Sequence, residues 1–264
     1  MGSATVQGQL WGARAQDFAT YVEQLTLPLT GAVLDAVRVT TGTRLLDAGC
    51  GAGLLALLAS FRGAEVAALD ASPALIEIAR ERLPGADVQV GDLEALPYAD
   101  GSFDAVTAVN SIFYAADMPA AVREFVRVVR PGGRVVATAW GPPERCELLT
   151  ALVSKIGPLM PPPPPGVTPP HPAALAQPGA LAAVLEQAGL RIVDEGEVDC
   201  PFVFPSTEVS WQANASAGPN QMAIAHSGEP AVRAAFAEAD RDYTRPDGSV
   251  RYENVFIWVA GERP

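Results

Sequence analysis

Leu45-Leu46-Asp47-Ala48-Gly49-Cys50-Gly51-Ala52-Gly53 decides how this chain is read. Two apolar residues lead into Asp47, and glycines stand at 49, 51 and 53. The run Leu54-Leu55-Ala56-Leu57-Leu58-Ala59 that follows is rich in good helix formers. A strand, a tight glycine turn and a helix in that order open a nucleotide-binding, doubly wound α/β sheet. Glycine in such a turn permits positive φ and removes the Cβ that would hold a ligand off the backbone.

The details argue against a dinucleotide. Its fingerprint has glycine at the first, third and sixth positions, whereas the sixth position counted from Gly49 is Leu54. Asp47 also ends the strand where a pyrophosphate would lie, and like charges repel strongly at low dielectric. A cofactor with a positive centre and no phosphate suits the turn better, and S-adenosylmethionine is such a molecule.

Working outward, Glu65-Val66-Ala67-Ala68-Leu69-Asp70 reads as a second strand. Its terminal acid lies 19 residues after Gly51, the spacing of an acid that accepts from ribose hydroxyls. Ser72-Pro73 starts the next helix with a hydroxyl cap and a proline in the first turn. Val88 to Asp92 is a short strand ending in another acid, and Phe103 to Asn110 is a further strand. Arg130-Pro131-Gly132-Gly133 then turns into the strand Arg134 to Trp140.

The landmarks LLDAGCGAG (45–53), ALDAS (68–72), GDLEALPY (91–98), FDAV (103–106) and RPGG (130–133) occur in this order. Together they resemble the class I S-adenosylmethionine-dependent methyltransferases, with most similarity to the small-molecule branch of the ubiquinone and menaquinone methylases. The resemblance is tight over residues 43–140 and architectural elsewhere. It implies a Rossmann-like α/β sheet of seven strands, the last one reversed, with a helical cap formed by residues 1–40 and 206–245 within a single domain of 264 residues.

Carried over by position, the resemblance has the backbone of Gly49, Gly51 and Gly53 line the donor's methionine part and ribose, with Cys50 a small residue within the loop. Asp70 binds the ribose hydroxyls, with Ala71 and Ser72 beside the adenosine. Asp92 accepts from the adenine amine and Leu93 offers its N–H to the ring. The backbone at Asn110 accepts from the donor's ammonium. Asp47 acts through water or by orienting the loop.

The resemblance also implies methyl transfer to a small acceptor by in-line displacement, without metal. The other function class compatible with the same motifs is an S-adenosylmethionine-binding fold that does not methylate, a cyclase or a small-molecule-binding regulator. Candidate acceptor-lining residues are Phe18, Tyr21, Phe113 and Tyr114 together with Trp140, Trp211 and Met222. A pocket of that make-up suits an apolar or aromatic acceptor. Proton removal, where the acceptor needs it, falls to His171, His226, Tyr21 or Tyr114; the chain has only those two histidines. Arg14 is placed to reach the donor's carboxylate. Each aromatic has a plainer reading as packing between cap and sheet, and each histidine as a solvated loop or helix-end residue.

Composition narrows the partners. The formal net charge is −12, and the 18 lysines and arginines never cluster, which excludes a nucleic-acid binder or a ligand of anionic membranes. Expected partners are a small-molecule substrate, with the protein a monomer or homodimer. No long apolar run or signal-like N-terminus is visible, so the expected location is cytoplasmic. Cys50, Cys146 and Cys200 are scattered and odd in number, which suggests neither a disulfide framework nor a zinc site.

Trp11, Phe18, Tyr21, Leu25 and Leu29 recur at helical spacing around a break at Pro28. A helix is predicted over 143–156. Ten prolines between Pro158 and Pro178 predict a stiff extended connection near the site. Helix 178–188, a strand over 190–204, helices over 206–244 and a last strand over 250–260 complete the expectation.

Overall fold

The computed structural model describes residues 3–162 and 174–264. His171 and most of the proline-rich connection lie outside the described residues. Seven strands form one sheet: β1 (Arg44–Ala48), β2 (Glu65–Asp70), β3 (Asp87–Val90), β4 (Phe103–Ala108), β5 (Val129–Trp140), β6 (Arg191–Asp199) and, after a two-stranded ribbon, β9 (Val255–Glu262). The ribbon consists of β7 (Phe202–Phe204) and β8 (Val250–Tyr252). The spatial order is β3-β2-β1-β4-β5-β9-β6. β9 runs antiparallel to both β5 and β6, the reversed last strand that was expected.

Near-continuous apolar burial along β1 and β4 marks strands covered on both faces. Helices Leu54–Phe61, Pro73–Arg82 and Met118–Val128 carry the crossovers between the parallel strands. Because the chain runs outward one way to β2 and β3 and the other way to β4 and β5, the order reverses between β1 and β4. Ligand crevices open at that reversal, beyond the carboxyl ends of the strands.

Four boundaries differ from expectation, each for a local reason. The strand expected over 190–204 breaks at Cys200–Pro201, where proline has no N–H for the ladder, and β7 leaves to pair with β8. The last strand breaks at Glu253–Asn254, where the Asn254 carbonyl accepts from Cys200 N at 2.8 Å and joins the two corners. Residues 206–244 form three helices, Thr207–Ala215, Gly218–Ser227 and Glu229–Asp240. Pro219 and Pro230 sit in the first turns of the second and third. At the other end a helix, Ser3–Gly12, precedes the expected start at Trp11. A π-type turn (Phe18–Val22) and a 3-10 turn (Glu23–Thr26) then lead to helix Leu27–Ala36, with Pro28 at its start.

Candidate active site

A cavity of about 430 Å³ lies at the carboxyl ends of β1, β2 and β4. Its floor is built from β1. Gly49 N and Cys50 N both donate to the Leu69 carbonyl, at 2.7 and 3.0 Å, pinning the glycine turn to the end of β2. Gly49 has φ +79°, and a Cβ there would lie 2.3 Å from Ser111 Cβ, so no other residue fits without moving the loop after β4. Gly51, at φ +56°, lies under the Phe18 ring. Gly49, Cys50 and Gly51 line the cavity, whereas Gly53 faces Ala79 and starts the following helix.

Asp47 is fully enclosed. Its Oδ1 accepts from Thr107 Oγ1 at 2.9 Å, while Oδ2 has no partner among the described residues and the side chain forms part of the cavity wall. Burial pushes its pKa up to about 7, with the Thr107 hydrogen bond opposing and the charges of Glu23 and Asp70 reinforcing the shift. Asp70 ends β2, its Oδ2 accepting from Gly51 N at 3.0 Å and its Oδ1 from Ser72 N at 2.8 Å. Burial pushes it up to about 6 against those bonds. Each oxygen retains a lone pair for a hydroxyl donor.

Ala71, Asp92, Leu93 and Asn110 are also on the wall. Ser72 is not, since its Oγ turns away to cap the next helix at Leu75 N. Asn110 has φ +51°; its N–H donates to Thr138 Oγ1 at 2.9 Å and its side-chain oxygen accepts from the same hydroxyl at 3.0 Å.

The roof comes from a segment the motifs did not mark. Ser3, Ala4, Gln7 and Trp11 form one face of the first helix and line the cavity. This helix lies flush on the β2 turn: a Cβ on Gly8 would stand 2.1 Å from the Ala71 carbonyl oxygen, and one on Gly12 would stand 2.6 Å from Ser72 Oγ. Ser3 Oγ accepts from Ala116 N at 3.0 Å, tying the helix start to the segment after β4. Glu23 fastens the other end. Its Oε1 accepts from Ala52 N at 3.0 Å and Leu54 N at 3.4 Å, and its Oε2 pairs with Arg82. Arg82 also donates to the Ala52 carbonyl at 2.9 Å. Burial raises the Glu23 pKa, with the Arg82 contacts and both backbone bonds opposing. The glycine pair at 8 and 12 and an acid at 23 within the apolar-periodic segment were the available sequence signals.

The acceptor side departs further from expectation. Phe18, Phe113, Tyr114 and Trp140 line the cavity; Tyr21, Trp211 and Met222 do not. Tyr21 packs against the core beside β1, and Trp211 is buried against Phe236 with Arg14 and Arg233 over its ring. Met222 lies on helix Gly218–Ser227 away from the wall. His226 is exposed in the last turn of that helix, and Arg14 is paired with Glu229 at 2.9 Å. Of the four proton-accepting candidates only Tyr114 is shown on the wall, and burial raises its phenol above the ordinary value. In place of the missing aromatics stand Leu148, Leu149 and Leu152 of helix Glu147–Lys155, Phe202, Phe204 and Phe256. Two buried asparagines, Asn214 and Asn220, interrupt this apolar wall.

Charge on the wall is of one sign. Glu23, Asp47, Asp70 and Asp92 line it, and no lysine, arginine or histidine does among the described residues. No cluster of three or more potential metal ligands occurs among them either, and no helix is long and apolar enough to cross a membrane.

Residues 46–137 match the family described as methyltransferase domain. The chain is 32% identical over 162 residues to an uncharacterized protein of Mycobacterium tuberculosis, spanning 60% of this chain and 58% of the relative. It is 38% identical over 95 residues to the malonyl-[acyl-carrier protein] O-methyltransferase of Serratia marcescens, spanning 36% of this chain and 37% of that one. The chain thus spans less than two thirds of the curated relatives it matches. Among solved structures, the [4+2]-cyclase SpnF superposes with a TM-score of 0.56 at 25% identity, over 89% of this chain and 80% of that one.

The matched segment gives residues 46–137 a methyltransferase domain, and the reversed seventh strand with the glycine turn and its acids gives the described residues the class I methyltransferase fold. The cofactor that such a domain implies is S-adenosylmethionine. The residues present fit that group: Asp47, which keeps one buried oxygen without a partner among the described residues, lines the cavity, the wall is acidic, and a Cβ at Gly49 or Gly51 would crowd the turn.

Proposed function

We propose that the protein transfers the methyl group of S-adenosylmethionine to a small, neutral, largely apolar acceptor. The observation that carries this reading is the two-sided cavity, acidic around the glycine turn and apolar beyond it. When bound, the cofactor supplies a methyl group already activated by its sulfonium charge. The chain's own residues then bind, orient and exclude water. Asp70 accepts from the ribose hydroxyls, Asp92 and Leu93 read the adenine, and the Asn110 carbonyl accepts from the ammonium. Asp47 adds negative charge near the positive end of the donor. Trp11, Phe18 and the first helix cover the site and keep water out.

Holding donor and acceptor in line supplies up to about 7–11 kcal/mol of the barrier. No general base is required for an acceptor that is already nucleophilic, and none of the histidines among the described residues reaches the wall. The acceptor in the Serratia relative's name, a malonyl group, is anionic and would meet a wall without cations among the described residues here. The likeness to SpnF supports a second reading, in which the same cavity folds an apolar molecule for cyclisation.

Titration calorimetry with S-adenosylmethionine and with NADH tests the cofactor class; tighter NADH binding sinks it. Release of S-adenosylhomocysteine in a screen of phenols, amines and other small apolar acceptors separates transfer from cyclisation. A cofactor that binds and is never consumed favours the cyclase.

A further inference from the structure

Asn214 and Asn220 are 6% and 3% exposed, yet both form part of the cavity wall. Their amides have a fixed orientation. Asn214 Nδ2 donates to the Ser210 carbonyl at 2.9 Å, and Asn220 Nδ2 donates to the Asn214 carbonyl at 2.7 Å. A backbone carbonyl only accepts, so nitrogen must occupy both positions. The Ser210 side chain agrees: its hydroxyl donates to Asp240 Oδ1 at 3.0 Å, as Tyr252 Oη does at 2.7 Å. With its proton committed to that carboxylate, Ser210 Oγ is an acceptor for Asn214 Nδ2 at 3.4 Å. The whole chain of donors runs inward toward Asp240.

Both side-chain carbonyl oxygens therefore point away from these partners. Both residues line the cavity, no donor among the described residues reaches either oxygen, and neither oxygen is among the fully buried unpaired side-chain atoms. The same cavity is lined by Trp140, Leu152, Phe202 and Phe256, which offer no charge. Two acceptors held rigidly in an apolar chamber cost desolvation unless a donor meets them.

We propose that Asn214 and Asn220 form a subsite for a hydroxyl or N–H donor on the acceptor molecule, selecting a neutral apolar compound that carries one such group. The proposal rests on the methyl-transfer reading for the name of the ligand, while the subsite itself is tested without the cofactor. An ether of the same shape leaves both oxygens unpaired, and a carboxylate places anion against acceptors in a wall that has no cation among the described residues. Sites built to pair a substrate donor discriminate strongly against the analogue that lacks it.

The test measures dissociation constants of 2-naphthol, 2-methoxynaphthalene and 2-naphthoate by ligand-observed NMR, with and without saturating S-adenosylhomocysteine. Wild type should bind 2-naphthol about three- to tenfold more tightly than the ether, and more tightly still than the carboxylate. Asn220→Leu and Asn214→Leu should bring naphthol and ether within twofold, with folding checked by near-ultraviolet circular dichroism. If Asn214→Leu does not fold, Asn220→Leu decides. Equal binding of naphthol and ether by wild type, a preference for naphthoate, a preference that survives in Asn220→Leu, or no binding of any probe at millimolar concentration overturns the subsite. Failure of S-adenosylhomocysteine to bind overturns the methyl-transfer reading instead and leaves the probe comparison to decide the asparagines.

Discussion

Replacing Asp47 with asparagine should make the ligand-free protein more stable at alkaline pH, although it removes a charge from the centre of the proposed site. The carboxyl is 1% exposed and has one hydrogen-bond donor, Thr107, so ionising it is costly. Its pKa is about 7 in the folded protein against 3.8 for a free side chain. Below pH ~4 it is protonated in both states and contributes nothing to the pH dependence. Between pH ~4 and ~7 the unfolded chain releases a proton that the folded protein keeps, so stability falls as pH rises. Above pH ~7 the loss has reached its full value of about 4 kcal/mol, at ~1.4 kcal/mol per tenfold change in proton affinity. Between pH 5 and pH 8 the difference amounts to about 3 kcal/mol. Urea unfolding of wild type and Asp47→Asn at those two pH values, without ligand, measures it. The variant should gain about 2–3 kcal/mol on wild type in going from pH 5 to pH 8. A wild-type-to-variant difference that is the same at both pH values refutes the buried, unpaired carboxylate. With S-adenosylmethionine the sign inverts. Wild-type affinity should rise from pH 5 to 7 as protons leave Asp47 and Asp70, and in the variant the slope should shrink to the part that Asp70, at about 6, contributes.

Asp70→Ala should stay folded and lose S-adenosylmethionine affinity by about 1.5–3 kcal/mol, the range for hydrogen bonds to a charged group, as read by calorimetry; wild-type affinity in a folded variant would remove Asp70 from the ribose. Gly8→Val should push the first helix off the Ala71 carbonyl, weakening cofactor binding by about tenfold or more and exposing residues 3–26 to limited proteolysis. Unchanged affinity and protection would show that the helix is no roof. Arg82→Met should cost about 3 kcal/mol in urea unfolding, because Glu23 would be left buried with only its backbone donors. The double variant Glu23→Gln/Arg82→Met should recover part of that loss.

The half of the fold around the glycine turn was legible because its signals are local. Glycines at 49, 51 and 53, an acid at 70 and the turn at 130–133 each fix a backbone corner, and the corners fix the order of strands. The cap was legible only as helical. Its work depends on contacts between residues far apart in sequence: Gly8 with Ala71, Glu23 with Ala52 and Leu54, and Trp11 with Gly218. None of these has a motif. The acceptor wall was misread for a related reason. Composition makes aromatic residues the natural lining, but Tyr21 and Trp211 pack the cap, and leucines of helix Glu147–Lys155 take the wall. Periodicity identifies an apolar face without saying which neighbour covers it. The asparagines were passed over because an amide in a helical stretch ordinarily faces solvent, and only the direction of their hydrogen bonds gives them a role.

Glu23 also completes an argument that the sequence could begin but not finish. Leu54 at the sixth position and the acid at 47 already disfavoured a pyrophosphate. In dinucleotide-binding folds the phosphate takes the free N–H groups at the start of the helix after the glycine turn, where the helix dipole also favours an anion. Here an anion is already in place. The Glu23 carboxylate accepts from Ala52 N and Leu54 N, is held by Arg82, and comes from the segment that leads out of the roof. One side chain thus satisfies the helix start and fastens the cover, and it adds to the negative field at Asp47. A phosphate would have to displace it, then lie beside Asp47 and Asp70 in a site lined by no cation among the described residues. A sulfonium and an ammonium meet the reverse situation, since each acid on the wall favours them. The same arrangement that closes the site over its donor therefore also selects the donor by charge.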